Sequence, residues 1–77
     1  MADFRYEVTE RICVLSEGRS QTKELRRVSF RDGPARLDVR KWTLTGDDER
    51  MGKGISLTDA EAVALRDALN ALDLRAG

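Results

Sequence analysis

The triplet Asp32-Gly33-Pro34 separates two runs whose side chains alternate in character, and this constrains the fold more than any other feature of the chain. An Asp-Gly pair favours the backbone of a tight hairpin, and the following proline cannot donate to a central ladder. Before the turn, Val28 and Phe30 alternate with Arg27, Ser29 and Arg31, which predicts a strand over 23–31 with an apolar and a basic face. After it, a strand is predicted over 35–44. There Leu37 and Val39 point one way, and Arg36, Asp38, Arg40 and Trp42 point the other. A half-buried strand normally places its aromatic with its aliphatics. Here the single tryptophan shares a face with two guanidinium groups. Single-stranded nucleic acid needs that pairing, a ring for bases and cations for phosphates.

Two further strands complete the pattern. Val8, Ile12 and Val14 mark a first strand over 8–15, closed by the turn-rich Glu17-Gly18-Arg19-Ser20. Residues 45–49 read as a polar connection, and 51–57 as a glycine-rich fourth strand with a bulge. Strict alternation would put Lys53 with Ile55 and Leu57; a bulge at Gly52 or Gly54 turns it outward. Thr58-Asp59-Ala60-Glu61 then fits a capping box, and a helix follows to about residue 72 or 74. Ala62, Leu65, Ala68, Leu69 and Leu72 form the stripe expected on the sheet. Ala60, Val63, Ala64, Ala71 and Leu74, with Asp67 among them, form a second stripe that a monomer would leave in water. That stripe predicts a homodimer through the helix. The fold class is α+β, one domain over 1–77: a four-stranded antiparallel sheet followed by one C-terminal helix.

Composition narrows function. A chain of 77 residues buries only about 60% of its unfolded surface and needs a staple or a partner. Cys13 is alone and histidine is absent, so no internal disulfide can form, a zinc site is not expected, and oligomerisation remains. Cys13 reads as a reduced, half-buried thiol. No run reaches membrane-spanning length, and Met1-Ala2-Asp3 does not begin a signal peptide, so a cytoplasmic protein is expected, nucleoid-associated if prokaryotic. Formal net charge is zero, yet residues 18–44 carry eight basic side chains against three acidic ones. That local excess is what steers an anionic ligand. Asp47-Asp48-Glu49 reads as a solvated turn, and Gly52-Lys53-Gly54 lacks the spacing of a phosphate loop. No nucleophile–base pair is visible, so neither catalysis, a metal nor a cofactor is expected.

Three segments in order carry a resemblance: Val28-Ser29-Phe30-Arg31-Asp32, Leu37-Asp38-Val39-Arg40-Lys41-Trp42, and Met51-Gly52-Lys53-Gly54-Ile55-Ser56-Leu57 before a helix. Together they resemble the transcriptional coactivator family called positive cofactor four, in its small prokaryotic single-domain branch of the YdbC type. The resemblance spans about residues 8–72. It implies a strongly curved sheet, a homodimer with helices in the interface, and binding of single-stranded or melted DNA with little sequence preference. By position it assigns DNA contacts to Arg40 and Trp42, to Lys53, to Lys23, and to one of Arg26 and Arg27, of which alternation favours Arg27. The family's coactivator carries a stacking aromatic after the Arg-Asp pair. This chain has Gly33-Pro34 there, with Phe4 and Tyr6 as candidates to replace it.

The functional expectation is a basic concave face on which Lys23, Arg27, Arg31, Arg36, Arg40 and Lys53 neutralise phosphates and Trp42 stacks on a base. Asp38 would orient Arg36 or Arg40. Two competing readings use the same surface: an RNA-binding protein, and a dimeric adaptor of the transcription or repair machinery with Trp42 as a hot spot.

Overall fold

The computed structural model describes residues 5–75. Four strands run in sequence order: β1 (Tyr6–Glu17), β2 (Gln21–Phe30), β3 (Ala35–Thr45) and β4 (Asp48–Leu57). Each pairs antiparallel with the next in an open sheet, and helix α1 (Asp59–Ala71) follows. The fold class is as expected. β1 and β4 are longer than expected, because the polar residues at their ends still find ladder partners.

The β2–β3 hairpin forms one step earlier than Asp32-Gly33-Pro34 implies. Gly33 N–H donates to Phe30 C=O at 2.9 Å, so Arg31 and Asp32 are the two central residues. Both have positive φ, 51° and 61°, the backbone of a type I′ turn. Asp tolerates that region; for Arg31 it costs about 1–2 kcal/mol. The strained arginine is held in place by its own N–H, which donates to Arg5 C=O at 3.0 Å, and by Ser29 Oγ donating to Gly33 C=O at 2.6 Å.

Bulges bend the sheet. β1 slips register against β2 three times, between Val8 and Glu10, Arg11 and Cys13, and Val14 and Ser16. Each slip increases local twist and bend. They also break the simple alternation of β1, which leaves Ile12, Val14 and Leu15 more than a third exposed and Cys13 exposed, not half-buried. One slip lies between β3 and β4. Arg40 faces Gly54 and Trp42 faces Met51, so Gly52 and Lys53 together oppose Lys41. This is the expected bulge. Gly54 is required by the approach of β3: a Cβ there would lie 1.8 Å from Arg40 Cβ.

Helix α1 begins as its sequence dictates. Thr58 Oγ1 accepts from Glu61 N–H at 3.1 Å, and Glu61 Oε1 accepts from Thr58 N–H at 2.8 Å. Yet no residue of α1 is buried. Ala62, Leu65 and Leu69 line a cleft of about 360 Å³ against Leu15, Leu25, Leu37, Val39 and Leu57 of the sheet, but Leu65 and Leu69 remain 44% exposed. The second stripe is exposed as expected, at Ala60, Val63, Ala64, Asp67, Ala71 and Leu74. Among the described residues only Val28 and Trp42 are fully buried apolar side chains.

Candidate nucleic-acid interface

Register decides which side chains share a face. Thr22 pairs with Trp42, Glu24 with Arg40, Arg26 with Asp38 and Val28 with Arg36. Directly opposed residues project to the same side. Trp42, Arg40, Asp38 and Arg36 therefore lie with Glu24, Arg26 and Val28. The other face carries Lys23 opposite Lys41, Leu25 opposite Val39, and Arg27 opposite Leu37, and it faces α1. The single basic face expected from the sequence is thus divided. Lys23 and Arg27 lie on the helix side of the sheet, and Arg36, Arg40 and Trp42 on the opposite side.

The Trp42 face is closed. Trp42 is 0% exposed, so its ring offers no surface to a base in this conformation, contrary to expectation. Arg26 covers the ring with Cζ 3.9 Å from the centroid, and Tyr6 meets it tilted by 56° at 5.8 Å. Tyr6 is therefore spent on the tryptophan, and Phe4 lies outside the described residues. The indole Nε1 is buried without an acceptor among the described residues.

Charge neutralisation permits this closure. Arg26 Nε donates to Glu24 Oε1 at 2.9 Å, while its Nη1 and Nη2 donate to the two oxygens of Glu49 at 2.9 and 2.7 Å. Glu24 also accepts from Arg11 Nε and Nη2 at 2.7 and 3.1 Å, and from Thr22 Oγ1. The Arg11 hydrogen bonds, helped by Arg26 and Thr22, hold the Glu24 carboxyl down at about 2 against the desolvation that opposes them. Glu49 is likewise lowered, chiefly by its hydrogen bonds to Arg26, which is itself raised by the same contact. A second cluster lies beside it. Asp38, 0% exposed, accepts from Arg40 Nε and Nη2, each at 2.7 Å, and from Ser56 Oγ at 2.9 Å. Arg40 Nη1 donates to Gly52 C=O at 3.1 Å. Asp38 orients Arg40, as one of the two expected options had it, but it also occupies that guanidinium.

The free cations lie elsewhere. Lys23, Lys41 and Lys53 come together with Gln21, Thr43, Gly52 and Gly54 around an open groove of about 440 Å³. All three lysines are exposed, and among the described residues no carboxylate pairs with them. Lys53 stays on the side of Ile55 and Leu57, as strict alternation has it; contrary to expectation, the bulge at Gly52-Lys53 does not turn it toward Arg40 and Trp42. Arg27 is partly engaged, its Nε 3.5 Å from Glu10 Oε1. Arg31 stands exposed at the hairpin tip and Arg36 exposed on the Trp42 side. Sequence reading passed over Lys41 because alternation put it at a fraying end. It passed over Glu49 because an acidic turn looks solvated. Glu24-Leu25-Arg26 did contain a signal, since opposite charges two apart on a strand share a face.

This architecture agrees with the comparisons to known proteins. A family model described as Transcriptional Coactivator p15 (PC4) matches residues 18–68, from the end of β1 through most of α1. A Treponema pallidum (strain Nichols) protein described as uncharacterized is 45% identical over 73 residues, covering 94% of this chain and 84% of that protein. The matched segment contains the β2–β3 hairpin, the bulged β4 and the capping box, and on these grounds the chain belongs to the transcriptional coactivator p15 (PC4) family.

Proposed function

We propose that this protein binds single-stranded DNA with little sequence preference, as a homodimer, in support of transcription. The observation that carries the reading is the groove where Lys23, Lys41 and Lys53, from three neighbouring strands, stand exposed without a counterion among the described residues. Three cations around one open groove suit the phosphates of a flexible strand. Arg27 on the same face and Arg31 at the hairpin tip would extend the contact, while Arg36 would meet only a strand that also crosses to the Trp42 side. Backbone binding of this kind is indifferent to sequence and sensitive to salt.

The dimer is supported by what the monomer leaves undone. Its radius of gyration is 14.0 Å. A compact chain of this length would have about 11.5 Å. Both stripes of α1 and the cleft beneath it stand open, with Val63 45% and Leu74 65% exposed. A second copy seated on α1 would bury them. Val63→Asp is expected to give monomers by sedimentation, and an unchanged profile would remove the helix from the interface.

The test of binding is a titration of labelled oligothymidine at several salt concentrations, with duplex and an RNA oligomer of matched length beside it. Lys23→Ala, Lys41→Ala and Lys53→Ala should each reduce the slope of log affinity against log salt by about 0.7, one phosphate contact on a single strand. Tighter binding of RNA than DNA would favour the RNA reading. No binding, or slopes that ignore all three lysines, would overturn the proposal.

A further inference from the structure

The Arg26–Trp42 pair is a cation lying on an aromatic ring, the two elements a single-stranded ligand uses, and both are shut away. Arg26 is 2% exposed and Trp42 0%. The two buried arginine clusters differ in what holds them. Arg40 is held by Asp38, itself 0% exposed, and by a backbone carbonyl. Arg26 is anchored at Nε by the buried Glu24, but its outward fork, Nη1 and Nη2, is filled by Glu49, which is 36% exposed. Glu49 is the second residue of β4, opposite Leu44 and beside the Gly46-Asp47 turn that closes the β3–β4 hairpin. Helix α1 makes no close approach to that end; its cleft is lined by Leu37, Val39 and Leu57 of the same strands.

We propose that Glu49 is a built-in competitor for a backbone phosphate: its carboxylate fills the Arg26 fork as a phosphodiester would, and its displacement by a single strand opens Trp42 to a base. The inference rests on the single-strand reading above. Two parallel N–H donors fit a phosphate bidentately as they fit a carboxylate. Glu24 keeps both hydrogen bonds from Arg11, so Arg26 can leave Glu24 and swing off the ring with the phosphate without stranding a buried carboxylate. The indole N–H adds an independent observation. It is buried and has no acceptor among the described residues, and an unmade hydrogen bond of that kind favours a state in which it finds one. In the opened state, a phosphate, a base edge or water can accept from it.

Three variants separate contact from charge. Glu49→Asp keeps the charge and shortens the arm; Glu49→Gln keeps the length and removes the charge; Asp48→Asn removes a neighbouring charge that does not touch Arg26. Far-UV circular dichroism checks folding, and Glu49→Asp carries the test if Glu49→Gln unfolds. Without nucleic acid, iodide should quench Trp42 fluorescence severalfold more effectively in both Glu49 variants than in the unsubstituted protein or Asp48→Asn. Oligothymidine affinity should rise about tenfold in both Glu49 variants, the scale of one charge-assisted contact no longer contested. Asp48→Asn should change it by no more than about twofold, as expected for an exposed charge. Equal effects of all three variants, or Trp42 equally shielded in all, would overturn the inference. Iodide access that rises at Glu49 with no oligothymidine binding by any form would uphold the closure by Glu49 but remove the phosphate as its rival, and would sink the single-strand reading itself.

Discussion

Replacing Trp42 should damage the fold before it damages any binding surface. The ring is fully buried, with the Arg26 guanidinium on one side and Tyr6 against it. Truncating a buried aromatic to alanine costs about 3–5 kcal/mol, from lost transfer energy and the cavity left behind. Part of that is offset, because Trp42→Ala also removes a buried N–H with no acceptor among the described residues, whose cost is about 1–3 kcal/mol. With the midpoints set against each other, about 4 less about 2, the net loss is about 2 kcal/mol. A chain of this length is stable by only about 4–12 kcal/mol, so Trp42→Ala should forfeit a large fraction of its stability.

Trp42→Phe separates the two contributions. Phenylalanine keeps a ring under Arg26 and removes the orphan donor, so relief and lost volume should nearly cancel, to within about 1 kcal/mol. The assay is urea denaturation followed by far-UV circular dichroism, since the only tryptophan is the residue replaced. All forms must be compared at one protein concentration, because dimerisation would couple stability to concentration. The reasoning fails if Trp42→Ala stays within about 1 kcal/mol of the unsubstituted protein. It also fails if Trp42→Phe is as damaging as Trp42→Ala, for then the unpaired N–H would carry no cost.

Acid should unfold the protein through Glu24. Its folded carboxyl lies at about 2 against an ordinary 4.5, so the stabilisation is complete above about 4.5 and is lost as pH falls toward about 2. The scale is roughly 3 kcal/mol, and Glu49, lowered in the same direction, adds to it. Glu24→Gln should flatten that part of the stability–pH curve, and an equally steep acid limb in the variant would refute the assignment. Gly54→Ala should cost at least about 3 kcal/mol, since its Cβ would overlap Arg40 and the backbone of Val39. Gly46→Ala, with φ 60° and nothing within 4 Å, should cost only about 1 kcal/mol. Equal losses at the two glycines, read by the same denaturation, would remove the close approach of β3 as the cause. Arg31→Gly should stabilise the protein by relieving the positive φ, about 1 kcal/mol, and a loss of stability would mean that the Arg31 side chain holds the hairpin.

Local chemistry was legible in the sequence where it acts over a few residues. The Thr58–Glu61 capping box and the Gly52-Lys53 bulge follow from residue types at short spacing, and both are present. What alternation within one strand cannot give is the register between strands. Val28 and Leu37 each look like the apolar face of their own strand. A two-residue turn at Arg31-Asp32 would by itself pair Ser29 with Pro34, but the ladder resumes with Ser29 opposite Ala35, and this one extra residue on the β3 side pairs Val28 with Arg36 and Leu37 with Arg27. Moving a two-residue turn along the chain keeps the same faces together, whereas one extra residue exchanges them. The division of Lys23 and Arg27 from Arg36, Arg40 and Trp42 follows from that extra residue. β1 was harder still, because three bulges in twelve residues leave no constant period to read.

The distribution of burial is inverted, and the inversion has a physical logic. Glu24, Arg26 and Asp38 are buried, while Leu65, Leu69, Leu72 and Leu74 are exposed. Buried ion pairs seldom add net stability over apolar packing, because desolvation consumes most of the Coulombic gain. What they provide here is closure of one sheet face within a single chain. Each buried charge has a partner on the same or an adjoining strand, and the ring of Trp42 is roofed by Arg26 without a second layer. The apolar surface is thereby left to the other face, where α1 covers only part of it. A second copy, as proposed, would complete that face and leave the lysine groove at its end open to a strand. If so, the charges of the closed face do not bind in the resting protein. They set how readily it opens, and the salt bridge that Glu49 makes is the first that a phosphate would meet.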